Sequence, residues 1–298
     1  MSGPTSTLDR GEFWARAMAE VMSRPPAPEV DPLPLRSAPF ADGYGVKLTC
    51  GLGDYRLFAY YSLPKSGGPH PAIYHAPGYA SVVQVPPYEE RRRHAVLSMC
   101  ARGQRLSDRP FAAAYPGLLT HDVEEPERYP FRGIVGDTCR GLDFLRLRGE
   151  VDRGRVVVVG GDMALFAAIF RPEIRAAVVS DPFFPGLFDL ARRTDAYPIE
   201  EINDYLRMHP ERGDAVGRTL ELFDPTHLLD RVRCDVLLSC GPGYFDRAAA
   251  EAIGGRIGGA VTIHERTGKG LIDRRHVEAW ISERTGQAIG SPYPAETG

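Results

Sequence analysis

Arg155-Val156-Val157-Val158-Val159-Gly160-Gly161-Asp162-Met163-Ala164-Leu165 decides how this chain folds. Four consecutive valines leave no polar face to put into water. A short apolar run closed by glycine reads as a strand buried on both sides, the form strands take in a parallel sheet covered by helices. Residues 163–170 then read as a helix and 174–180 as a second buried strand.

Working outward, strand-like runs occupy 44–50, 55–62, 71–75 and 94–101, the first two joined by the turn Gly51-Leu52-Gly53-Asp54. A helix is expected over 130–148. Downstream, 182–232 is polar and helical without a clear strand. Strands follow at 234–240 and 260–265 with a helix at 245–253 between them, and an amphipathic helix at 273–284 carries Val277, Trp280 and Ile281. Strands alternating with helices imply an α/β fold, an open, mostly parallel sheet with right-handed crossovers. The 182–232 block is expected as a helical cap inserted above the sheet's carboxyl edge, where ligands bind in such folds.

At the other end, 8–24 reads as an amphipathic helix with Phe13, Met18, Val21 and Met22 on its apolar face. The proline-rich stretch 25–34 reads as an extended linker. Residues 1–34 are thus expected as an arm and 35–298 as the domain. An arm of this kind packs on its own domain or on a second subunit, so a homo-oligomer is an open expectation.

The composition suits a folded domain: 298 residues, 43% hydrophobic and 25% charged. A net charge of -3 favours neither nucleic acid nor an anionic membrane surface. No apolar run reaches membrane-spanning length, and the polar first ten residues lack the apolar segment of an export signal. The expected location is therefore cytoplasmic. The five cysteines form no close Cys-x-x-Cys pair, and His121-Asp122 has no further ligand spacing around it; no metal and no cofactor are expected.

Arg102-Gly103-Gln104, Tyr115-Pro116-Gly117-Leu118-Leu119-Thr120, Asp137, Gly141-Leu142-Asp143-Phe144-Leu145 and Val151-Asp152-Arg153-Gly154-Arg155-Val156 follow one another in an order that resembles the acetylxylan esterase and cephalosporin-C deacetylase family. The likeness runs over roughly residues 35–290 and implies the α/β-hydrolase fold. Ala76-Pro77-Gly78-Tyr79 is similar to the family loop whose tyrosine amide forms half of an oxyanion hole. The resemblance therefore implies substrate-binding roles for the amides of Tyr79 and Met163.

The catalytic triad of that family is missing. Its serine stands in Gly-Gly-Ser-Gln-Gly-Gly; here the segment is Gly160-Gly161-Asp162-Met163-Ala164-Leu165. Either Asp162 takes the serine's place or the serine is deleted. Tyr244 stands where the acid is expected and Lys269 where the histidine is expected. A serine hydroxyl without its base is a poor nucleophile, so ordinary acetyl-ester hydrolysis is not expected. Asp162 is either a rebuilt nucleophile or acid/base, or an N-cap for the following helix. Lys269 is either a base or a solvated loop lysine, and Tyr244 is a candidate for proton transfer. His276 is the histidine best placed to replace the lost base, or else lies on a solvated helix face. Three functions stay open: an enzyme with a rebuilt pocket for a small ester or carbonyl compound, a non-hydrolytic lyase, isomerase or cyclase, and a binding protein without catalysis.

Overall fold

The computed structural model describes residues 9–290. Residue 8, where the first helix is expected to begin, and residues 291–298 lie outside them. Among the described residues one sheet of nine strands runs β1 (Glu29–Pro32), β2 (Ala41–Thr49), β3 (Arg56–Pro64), β4 (His70–His75), β5 (Ala95–Met99), β6 (Val151–Gly160), β7 (Ala176–Ser180), β8 (Asp235–Cys240) and β9 (Val261–Glu265). Their spatial order is β1-β2-β3-β5-β4-β6-β7-β8-β9. The ladders β1–β2, β2–β3 and β3–β5 are antiparallel, and every ladder from β5 to β9 is parallel.

The valine run lies at the centre. Val156 to Val159 pair with Ala72 to His75 of β4 on one side, and Val157 to Gly160 pair with Ala176 to Val179 of β7 on the other. Alternate residues serve opposite layers, as the two-residue period of a strand requires. Val157, Ile73, Val178 and Leu237 meet Trp280 and Ile281 of α8 (Gly270–Thr285). Val158, Tyr74, Val179 and Leu238 join the larger core with α2 (Pro130–Leu147) and α3 (Asp162–Phe170).

Between β7 and β8 the chain forms α4 (Leu187–Ala191), α5 (Glu200–Met208) and α6 (Gly213–Leu222). Helix α7 (Arg247–Gly254) joins β8 to β9. After β4 the chain crosses to β5 on one side, and from β6 onward it moves to the other. That reversal opens a crevice at the carboxyl ends of β4 and β6, the position where open α/β sheets bind ligands.

The N-terminal region departs from expectation in two places. Helix α1 (Arg10–Ser23) buries Phe13, Trp14, Ala17, Met18 and Val21, whereas Met22 is 73% exposed. Trp14 is completely buried and its indole N–H donates to the Leu222 carbonyl at 2.9 Å. The proline-rich stretch is extended, but it is more than a linker: β1 pairs with β2, Val30 opposite Val46. Its prolines fit because an edge strand needs ladder bonds on one side only.

Candidate functional site

A cavity of about 260 Å³ occupies the crevice. The loop after β4 supplies Pro77 to Tyr79, the loop after β5 Arg102 and Gln104, the turn after β6 Gly161 to Met163, the end of β7 Ser180, Asp181 and Phe183, and the loop after β8 Tyr244. Pro198, next to α5, also lines it. Of the residues expected at the site, Asp162, Met163, Tyr79 and Tyr244 come together here.

Lys269 does not. It lies exposed at the N-terminus of α8 and is not part of the cavity wall. The reason is local: Asp273 accepts the Thr267 N–H at 2.8 Å and the Thr267 hydroxyl at 3.1 Å, and the Lys269 N–H in turn donates to Thr267 Oγ1 at 3.1 Å. These bonds fold the turn back on α8. Lys269→Ala is accordingly expected to change stability by no more than about 0.5 kcal/mol and to leave ligand affinity at the cavity unchanged, as titration calorimetry and a melting curve would read.

Asp162 opens α3 directly. No residue from 160 to 165 has a positive φ, and Gly161 sits at φ -100, ψ -124. No residue of this strand-to-helix turn thus occupies the left-handed region. The N-cap role is not the one Asp162 plays, since the capping position is Gly161 and no side chain caps α3. Its carboxylate instead crosses to the loop after β7. Oδ1 accepts the N–H of Phe184 at 2.8 Å and of Phe183 at 3.0 Å, while Oδ2 shares only the Phe183 N–H at 3.1 Å. Burial pushes its pKa up to about 7, against the downward pull of the Phe184 and Phe183 amides. A buried carboxyl in this range exchanges its proton near neutral pH.

The two amides at the oxyanion positions are unspent. Among the described residues the backbone N–H groups of Tyr79 and Met163 make no hydrogen bond. The Tyr79 hydroxyl is committed: it donates to Glu201 Oε1 at 2.7 Å and accepts the Leu119 N–H at 2.9 Å. Glu201 Oε2 also accepts from Gly117 at 2.8 Å and Leu119 at 3.2 Å. Tyr244 donates to the Asp181 carbonyl at 3.0 Å. Burial, with Asp181 and Asp162 nearby, holds its hydroxyl well above the usual range, so it stays neutral.

Sequence reasoning missed Glu201, Asp181 and Arg266. Asp181 has φ +45, a left-handed conformation that aspartate tolerates better than most residues. Its carboxylate pairs with Arg266 at 2.8 Å. No histidine forms part of the cavity wall. His276 stacks on His264 with ring centres 4.0 Å apart, and His264 faces Asp273 at 3.3 Å. Among the described residues no group of three or more His, Cys, Asp or Glu could hold a metal ion. All five cysteines are free and buried, and no helix among the described residues is long and apolar enough to cross a membrane.

A profile of the acetyl xylan esterase family matches residues 3–247. The chain belongs to that family. Among solved structures it is similar to an acetyl xylan esterase from a Paenibacillus species (22% identity, 95% of this chain and 96% of that one, TM-score 0.78). A second acetyl xylan esterase, from a Thermoanaerobacterium species, gives 24% identity, 93% and 94% coverage and a TM-score of 0.79. A 2,6-dihydroxy-pseudo-oxynicotine hydrolase is more distant at 15% identity and a TM-score of 0.55, over 97% of this chain and 78% of that one. At these identities the neighbours establish the α/β-hydrolase fold. The acetyl xylan esterase frame is thus retained around a cavity without a histidine and without a serine after β6.

Proposed function

We propose that this member of the esterase family acts on a small carbonyl-containing molecule by proton transfer, with Asp162 as the acid/base. The reading rests on the buried Asp162 carboxyl, whose pKa of about 7 accompanies two uncommitted amides on the same cavity wall. The Tyr79 and Met163 N–H groups hold the carbonyl oxygen. Asp162 Oδ2, which receives only a shared amide contact, removes a proton from the carbon beside the carbonyl. The C–H electron pair moves into the carbon–carbon bond and the carbonyl pair onto oxygen, giving an enolate that the amides stabilise. Return of the proton to a different atom completes an isomerisation, and loss of a neighbouring group completes an elimination.

Ethyl 2-methylacetoacetate in D₂O separates this chemistry from hydrolysis, because it carries one acidic C–H and one ester. Proton NMR of a single sample reads loss of the α-proton signal and release of ethanol. Wild type is expected to accelerate deuteration at least about tenfold with ethanol at background, and Asp162→Asn to abolish the acceleration. Ethanol release that disappears in Asp162→Asn would restore a hydrolase with an aspartate nucleophile. The engagement of both Asp162 oxygens by Phe183 and Phe184 favours a second reading, binding without turnover. No acceleration, with the ester still bound, would establish it.

A further inference from the structure

The charges around the cavity do not cancel. Arg102 lines it, but its guanidinium is locked onto Asp137 by contacts of 2.8 and 2.7 Å. Arg266 is held by Asp181. Each guanidinium already has its acid, and two buried acids remain. Asp162 is 6% exposed and Glu201 7%, and neither makes an ion pair with a described residue; their partners are backbone amides and the Tyr79 hydroxyl. Amide dipoles stabilise a buried carboxylate only in part. Burial holds the Tyr129 hydroxyl far above its usual range, and Glu201 and Asp162 add to the rise.

The walls between these acids are aromatic. Tyr79, Tyr115, Phe131 and Phe183 all line the cavity. Tyr115 meets Tyr79 edge-on at 5.2 Å and Phe183 does so at 6.0 Å, while Phe131 is parallel to Tyr79 at 6.3 Å. Rings set at right angles expose π-faces in different directions, and each face attracts positive charge. An aromatic wall with unbalanced buried carboxylates is the chemistry that recognises an organic ammonium group.

We propose that the cavity selects carbonyl compounds that also carry an organic cation, its charge taken by Asp162 and the surrounding π-faces. The inference rests on the reading of this cavity as the ligand site. Tyr79, Tyr115, Tyr129, Tyr244, Arg102, Asp181 and Glu201 are the other titratable or charged groups around Asp162; the four tyrosines stay neutral, their hydroxyls all raised by burial. Burial raises the Asp162 pKa to about 7, so its charge changes in that range. Cation binding should strengthen as pH rises through that range.

Acetylcholine and its neutral isostere 3,3-dimethylbutyl acetate differ only in the quaternary centre. Titration calorimetry of the full chain at pH 8 should show the ammonium ester binding about tenfold tighter or better. The preference should fall toward unity at pH 5.5, and toward unity at pH 8 in Asp162→Asn. Equal affinity for the two esters at both pH values would overturn the cation inference while leaving the cavity a ligand site. Failure of both esters to bind at millimolar concentration would overturn the cavity reading as well. The pH comparison on wild type stands whether or not the variant folds.

Discussion

Asp162→Asn is expected to melt higher than wild type at pH 8 and to lose most of that advantage by pH 5. In the folded protein burial raises the Asp162 pKa from 3.8 to about 7. Below pH 4 the group is protonated in both folded and unfolded chains and contributes no difference. Between about 4 and 7 the folded chain holds a proton that the unfolded chain has released, so stability falls as pH rises. Above 7 the folded protein carries the full cost of a buried anion. A rise of this size corresponds to a destabilisation on the order of 4 kcal/mol. Asparagine removes the charge and its Oδ1 can still accept both the Phe184 and Phe183 amides, while the NH2 that replaces Oδ2 must turn away from the Phe183 N–H it then faces. Melting curves from pH 5 to 8.5 should therefore diverge, with the variant ahead by roughly 5–10 °C at the alkaline end. Coincident curves at pH 8 would mean that Asp162 is not destabilised by its charge. A site that gives up stability in this way is characteristic of function, and a bound cation would offset the cost of the buried anion.

The frame is legible in the residues because it depends on local periods. Val156 to Val159 can only be a strand covered on both faces, and the ordered match from Arg102 to Val156 places the flanking loops. Expectation fails where a long-range choice decides. Residues 25–34 read as a linker because nothing within them announces that Glu29–Pro32 will pair with β2. The period of α1 suggests Met22 for the buried face and does not point to Trp14, since a period alone does not fix the phase at which a helix docks. Glu200 and Glu201 are adjacent acids on one helix. The docking of α5 turns Glu201 inward to Tyr79 and leaves Glu200 to Arg207 and Asn203. Asp162 stands out in the sequence, but its partners are backbone amides 21 and 22 residues away, and an amide carries no side-chain signature. Lys269 shows the converse: a position transferred from a family motif does not transfer its geometry once Asp273 and Thr267 reshape the turn.

Asp137→Ala should destabilise the protein by about 3–5 kcal/mol, because it strands a guanidinium inside the core. The Arg102 side chain is 9% exposed and that of Asp137 is fully buried. Arg102 Nε and backbone N–H both donate to Oδ2, at 2.8 and 3.0 Å, and Nη2 donates to Oδ1 at 2.7 Å and to the Leu52 carbonyl at 2.7 Å. Gly133 of α2 makes room for this arrangement, since a Cβ there would lie 2.2 Å from the guanidinium carbon. The ion pair fixes the loop after β5, and two residues further Gln104 holds the carbonyls of Gly78 at 2.9 Å and Ala80 at 2.6 Å. A break at Asp137 therefore propagates to the Tyr79 amide and to ligand affinity. The double variant Arg102→Met with Asp137→Leu separates the pair's two roles. Apolar side chains of similar volume remove both charges together, so stability should recover by several kcal/mol relative to Asp137→Ala, while Gln104 keeps the loop near its position. Urea unfolding of the single and double variants checks this ordering. A loss below about 1 kcal/mol in Asp137→Ala would show that water reaches the guanidinium and that the loop is held by Gln104 alone.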